Sequence, residues 1–380
     1  MNYKLTIMNY ELCSELCSPE HFKKIDNARR LSKQAWHCIR LALLFTFHFS
    51  LFTLSLLSMF SCVKEEYPTA DNPQANLESL WRLMDEHYCF FDYKKQELGV
   101  DWDEVHARYA AKVNPKMTTT QLFEVCCNMI GELKDGHVNL TAGFDIGRNW
   151  SYWQEYPENF NDSIQRSYLG TDYHIAAGLR YKILDDNVGY IRCASFSDGI
   201  GHGNVGDMLS ILSTCSGLII DVRGNGGGQL TNAETLASHF TNEETLVGYI
   251  YHKTGKGHND FSSLEPEYLE PSNGMRWQKQ VVVLTNRQCF SATNDFVKCM
   301  KGLDRVTILG DTTGGGSGMP FTQEIQNGWS VRYSAVVSLD RERQHIEFGI
   351  APDVPVSMSQ SDILRKQDTL IETARRLLRK

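Results

Sequence analysis

Four short stretches of this 380-residue chain hold side chains that could do chemistry. NRQCFSATND at 286–295 follows the apolar run VVVLT and opens a helix-like stretch. A serine there, Ser291, would present its hydroxyl at a strand's C-terminal edge, beside the free N–H groups of a helix start. That is the logic of a nucleophile elbow, although Gly-x-Ser-x-Gly is absent. Ser291 is equally placed to be a plain N-cap. GLIIDVRGNGGG at 217–228 runs a strand into a glycine-rich turn before a helix. Such a turn can aim several backbone N–H groups at one point, to cradle a phosphate or an oxyanion. It can also be only a tight turn that needs positive φ. Gly-Lys-Ser/Thr is missing and Gly-x-Gly-x-x-Gly is out of register, which weakens the phosphate reading. ELKDGHV at 132–138 places His137 after Asp-Gly in a turn, as a general base or an ordinary turn histidine. EFGIAPD at 347–353 reads by itself as a turn before the last helix.

The elements that must position these residues are legible from periodicity. Leu77, Leu80, Trp81, Met84, Tyr88 and Phe91 form one helical stripe. Thr119 or Thr120 can cap a second helix carrying Leu122, Val125, Met129, Ile130 and Leu133. A small helical N-terminal domain over 76–140 is expected, then an irregular connection over 141–180. Apolar runs at 188–196, 218–222, 246–251, 281–285 and 306–309 alternate with helix-like runs at 231–240 and 292–302. Alternation of that kind predicts an α/β core over 181–358 with a largely buried sheet. Strands at 321–325 and 329–339 look more antiparallel, and a C-terminal helix occupies 359–380.

Composition narrows the function classes. The chain is 42% hydrophobic and 22% charged, an ordinary globular balance. Its net charge of −8, without a long basic run, makes a nucleic-acid partner a poor fit. A mean hydropathy of −0.35 excludes a polytopic membrane protein. Of 11 cysteines, seven follow Cys62, an odd number, with no Cys-x-x-Cys and no Cys/His ligand spacing. A zinc site is unsupported; most of these thiols are expected to pack as small hydrophobes.

The N-terminus reads as an address. Residues 41–60 are apolar and uncharged, and Lys23, Lys24, Arg29, Arg30, Lys33 and Arg40 precede them. Basic then apolar is the order of a secretory signal. Ser61-Cys62 at its end resembles a lipoprotein cleavage site, which would make Cys62 the lipidated first residue. Residues 1–61 would then be a leader and 62–75 a tether. An uncleaved single-span anchor is the alternative, since about 20 apolar residues cross a bilayer. Either way the body is expected outside the cytoplasm, on a bacterial periplasmic or surface membrane.

Taken in order, KDGH at 134–137, GLIIDVRGNGGG at 217–228, SATND at 291–295 and GIAPD at 349–353 resemble the tail-specific (C-terminal processing) peptidases and the tricorn-core serine proteases. The resemblance covers about 76–358. It implies a crotonase-like (ClpP/crotonase-type) α/β catalytic core with a small helical N-terminal domain. Many members use a Ser/Lys dyad, but the matching position here is Gly316, and Lys298 and Lys301 are expected to face solvent. The tricorn-like branch instead uses His and Glu with Ser, and His137 and Glu347 stand where that branch would place them. Its serine just before the histidine is Gly136 here. The stretch between His137 and the first core strand is too short for a PDZ domain. The resemblance thus implies an exported serine endopeptidase that cleaves protein or peptide substrates with no metal or nucleotide. Ser291 would be the nucleophile, His137 the base and Glu347 the group orienting the imidazole. Ala292 and the Gly226-Gly227 turn would supply the oxyanion N–H groups, while Asp221, Arg223 and Asn225 hold that turn. The altered relay leaves open a catalytically inactive peptide- or ligand-binding lipoprotein on the same fold.

Overall fold

The computed structural model describes residues 71–147 and 151–379. Contacts divide the chain at Glu66/Tyr67, and the compact unit from Tyr67 to Lys380 holds every element below. Cys62 and the apolar segment at 41–60 lie outside the described residues. Among the described residues no helix is long and apolar enough to cross a membrane.

Four helices come first: α1 (Pro73–His87), α2 (Phe91–Leu98), α3 (Trp102–Ala110) and α4 (Thr119–Gly131). Asn72 caps α1, with Pro73 at its first turn. The expected stripe breaks at His87: Tyr88 leaves the helix with extended backbone, and Phe91 begins α2, yet both rings stay buried. The cap of α4 is Thr118, one residue before the expected pair, because its capping box needs Gln121 at the third position. The stretch expected to be irregular holds β1 (Asn139–Ala142), β2 (Asp145–Ile146), α5 (Asp162–Leu169) and β3 (His174–Ala176).

From there the chain alternates: β4 (Leu179–Ile183), β5 (Gly189–Cys193), α6 (His202–Leu212), β6 (Leu218–Asp221), α7 (Leu230–Ala237), β7 (Thr245–His252) and β8 (Glu265–Leu269). It continues through β9 (Val281–Thr285), α8 (Ala292–Met300), β10 (Val306–Gly310), β11 (Gly318–Glu324), β12 (Ser330–Asp340) and β13 (Val354–Pro355), then α9 (Gln360–Leu364) and α10 (Thr369–Leu378).

Two sheets result. Seven strands run in the order β13-β10-β9-β6-β5-β4-β3, parallel from β13 to β5 and antiparallel at β4 and β3. β5, β6 and β9 are buried at every residue, which is why they read as near-continuous apolar runs, interrupted by Arg192 in β5 and closed by Asp221 in β6. α6, α7 and α8 pack on one face, through Leu209, Leu236 and Phe296. α10 covers the other with Leu370, Ile371 and Ala374. The second sheet is antiparallel, β2-β1-β12-β7-β8, with β11 on β12. Its core is shared with α1–α4: Leu80, Met84, Phe123 and Ile130 pack in one cluster with Val331 and Tyr333 of β12. The helical region is therefore a layer on this sheet rather than a separate body.

This order brings the chemistry together. β6, β9 and β10 are parallel neighbours, so the turns leaving their C-terminal ends converge on one edge. These are the glycine turn, the Ser291 turn and the turn holding Gly314, Gly315 and Gly316. His137 arrives from the other layer, in the loop between α4 and β1.

Candidate active site

Ser291 sits at the N-cap of α8 but does not cap it: its side chain makes no capping hydrogen bond. Its Oγ lies 3.0 Å from His137 Nε2 instead. Its backbone is at φ 57 and ψ −123, a region that costs a non-glycine residue on the order of 1–3 kcal/mol. Three contacts hold it there. The Ser291 N–H donates to Gly315 O at 2.9 Å, and the Phe290 N–H donates to Asn225 O at 3.2 Å. The glycine turn lies against it, since a Cβ on Gly227 would stand 2.9 Å from Ser291 Cβ.

The polar residues under that turn are structural. Arg223 is fully buried and donates to Asp221, Asp368 and Asn159 O. Asn225 donates to Cys193 O and accepts the Gly227 N–H at 2.9 Å. The last contact corrects part of the expected oxyanion set: the Gly227 N–H is committed to Asn225. Gly226 is open, with nothing within 4 Å of an added Cβ. Gly228 lines the same cavity as Ser291. Ala292 opens α8, where first-turn N–H groups have no partner within the helix.

His137 is 2% exposed, and burial lowers its pKa to about 4 against the opposing charge of Asp135. Asp135 shapes the histidine loop. It accepts the His137 backbone N–H at 2.8 Å, Tyr88 Oη at 3.1 Å and Ser334 Oγ at 2.8 Å. Glu347 does not orient the imidazole, a second correction. Its oxygens take Lys94 Nζ at 3.1 Å and the Ser317 N–H at 2.9 Å, while His137 Nδ1 is buried with no hydrogen-bond partner among the described residues. Burial, then Asp135, raises the Glu347 pKa, against the pull of Lys94.

Lys94, from α2, is a buried functional candidate that sequence reading missed. Its ammonium also donates to Lys134 O at 3.2 Å and lies 4.3 Å from the Phe348 ring centroid. One cation, 253 residues from Glu347 in sequence, thus ties the histidine loop to the Glu347 loop.

The dyad lysine has no room here. Gly316 is at φ 77, and a Cβ there would stand 2.4 Å from the Phe290 ring. A Cβ on Gly136 would meet the same ring at 2.7 Å. Phe290 stacks on Tyr152 at 4.2 Å and packs 4.8 Å from the His137 ring. A single aromatic side chain therefore fills the space of both side chains that the resemblance would supply.

Lys298 overturns the expectation that it faces solvent. It is 3% exposed, held by Asp295 at 2.7 Å and by Glu267 and Ser338 Oγ at 2.9 Å. Lys301 pairs with Asp353 near the surface. The described cysteines are free and buried, and no metal-binding cluster occurs among the described residues.

Residues 187–356 match the model of peptidase family S41, and residues 69–131 match the tricorn protease C1 domain. The crystal structure of a candidate peptidase from Parabacteroides merdae ATCC 43184 is 50% identical, covers 81% of this chain and 97% of its own, and superposes with a TM-score of 0.78. Mature CPAF shares the fold at 14% identity, covering 82% of this chain and 97% of its own, with a TM-score of 0.64. The carboxy-terminal processing protease CtpA of Bacillus subtilis (strain 168) is 25% identical over 177 residues, 46% of this chain and 36% of that protein. This chain thus matches about a third of the length of that curated relative. The family model and the 50% identical structure, of which this chain covers 97%, agree: the chain belongs to peptidase family S41.

Proposed function

We propose that the chain is an exported serine endopeptidase of the tail-specific, tricorn-core type, working with Ser291 and His137 on a crotonase-like core. The 3.0 Å contact between Ser291 Oγ and His137 Nε2 carries this reading. The neutral imidazole takes the hydroxyl proton as Oγ attacks the substrate carbonyl. It returns that proton to the leaving amine, then activates the water that releases the acyl group. The developing oxyanion lies beside the Ala292 N–H and the Gly226–Gly228 turn. Losing one such donor typically costs about 10²–10³ in rate. Glu347 acts at one remove: with Lys94 it sets the two loops that carry His137 and Ser317. The leader at 1–61 supports export, with anchoring through a lipidated Cys62 or a single span. Substrates are protein or peptide chains.

An inactive binding lipoprotein on the same fold is the lesser reading. A serine held at positive φ and bonded to a histidine rather than to its own helix is a costly arrangement for a passive binder. Incubating the full chain with an unfolded protein substrate tests the choice. Wild type is expected to release peptides, and Ser291→Ala none above background. Equal peptide release by both would contradict the proposal.

A further inference from the structure

His137 Nε2 faces Ser291 Oγ at 3.0 Å, and its buried Nδ1 has no hydrogen-bond partner among the described residues. A base in such a pair is ordinarily oriented by a further group that hydrogen-bonds its far nitrogen. One hydrogen bond does not fix the ring, because the outer torsion of histidine is broad. Packing must supply the rest.

Phe290, the residue before the nucleophile, supplies a wall. It is buried, and its ring packs 4.8 Å from the imidazole with the two planes 51° apart. Its backbone is pinned by the N–H that Asn225 O accepts. Tyr152 stacks on the Phe290 ring at 4.2 Å, with the planes 16° apart, and restrains it in turn. Three glycines leave the room for this pair. A Cβ on Gly136 would stand 2.7 Å from Phe290 and 3.0 Å from Tyr152, one on Gly314 2.6 Å from Tyr152, and one on Gly316 2.4 Å from Phe290. The turn that carries Phe290 also ties down the segment that carries Tyr152. Asn286 Nδ2 donates to Glu158 O at 2.8 Å, and the Arg287 guanidinium lies 4.1 Å from the Tyr156 ring centroid. Because Phe290 and Ser291 are consecutive, one turn sets the nucleophile and the wall of its base together.

We propose that Phe290, backed by Tyr152, is the positioning residue of His137, aiming Nε2 at Ser291 by packing where a triad would use a carboxylate. The proposal rests on the peptidase reading above and adds how its base is held. The same rings keep water from the imidazole, so their loss has a signature that a merely structural role would not give.

The test is steady-state kinetics of the full chain on a fluorogenic peptide taken from a site cut in the unfolded protein substrate, with Ser291→Ala as blank. Phe290→Leu and Tyr152→Ala are each compared with wild type below the thermal midpoint of all three. In each, kcat is expected to fall at least about tenfold, less than on losing the base itself, with KM within about twofold. The acid limb of kcat/KM should move up from near pH 4 toward 6.5 as water reaches the imidazole. Asp135, Arg332 and Lys94, the charged groups that act on His137, stay in place in both variants. Tyr152 lies outside every helix and strand, so Tyr152→Ala decides should Phe290→Leu not fold. An acid limb that stays near pH 4 in a folded variant, or an undiminished kcat, would overturn the positioning role and leave the peptidase reading standing. Absence of serine-dependent cleavage by the wild type would overturn both.

Discussion

His137→Ala is expected to lower kcat by at least 10²–10⁴-fold, roughly the range for losing a positioned general base, with KM nearly unchanged. The imidazole contacts the nucleophile and is not among the residues lining the cavity beside Ser291, so its loss is expected to remove stabilisation in the transition state alone. The wild-type pH profile gives the same claim a second readout. Burial holds the His137 pKa near 4, below its ordinary 6.5. The base is therefore unprotonated over most of the acid range, and the acid limb of kcat/KM should centre nearer pH 4 than 6.5. Stability has the corresponding sign. Between pH 6.5 and about 4 the unfolded chain binds a proton that the folded histidine refuses, so this residue destabilises the fold as pH falls through that window. An acid limb centred at 6.5 would contradict the burial-lowered pKa, and a His137→Ala variant with wild-type kcat would remove the imidazole from the mechanism.

Lys94→Met should be costly in a different way. The pair with Glu347 is fully enclosed, with side-chain exposures of 0% and 2%. Removing one partner of a buried pair leaves an unpaired charge worth about 3–5 kcal/mol, a fall in Tm of roughly 10 °C for a unit of this size. Burial and Asp135 already press Glu347 toward its neutral form, and the methionine variant loses the ammonium that opposes them. The carboxyl then takes up a proton near neutral pH, which relieves part of that cost. Activity should fall as well, because the same ammonium holds Lys134 O in the histidine loop. The double variant Lys94→Met/Glu347→Gln removes both charges and should recover part of the lost Tm, since residues in contact couple by about 0.5–3 kcal/mol. A double variant no more stable than the additive sum would show that the pair is not the unit described here.

The parallel strands and the four motifs were legible because their signals are local. Buried strands read as near-continuous apolar runs, and glycines at turns announce positive φ. The positions of Ser291 and His137 could be named from turn chemistry and family likeness. What the sequence hid is set by contacts across the chain. Lys94 lies on α2, a helix with few apolar residues, and nothing near it signals burial; its partner is 253 residues away. Lys298 looks like a surface lysine until β8 and β12 bring Glu267 and Ser338 to it. Glu347 illustrates the opposite error. Its place in the motif suggested a direct partner for the imidazole, yet Lys94 and Ser317 take its oxygens. The commitment of the Gly227 N–H to Asn225, two residues away, was equally invisible in a run of three glycines.

The central claim is that His137 activates Ser291. It is tested most directly by labelling the full chain with a fluorophosphonate probe, comparing wild type with Ser291→Ala and His137→Ala. Labelling of the wild type that is lost in both variants is the predicted result. A folded wild type that stays unlabelled, or a His137→Ala variant labelled as fast as wild type, would contradict it.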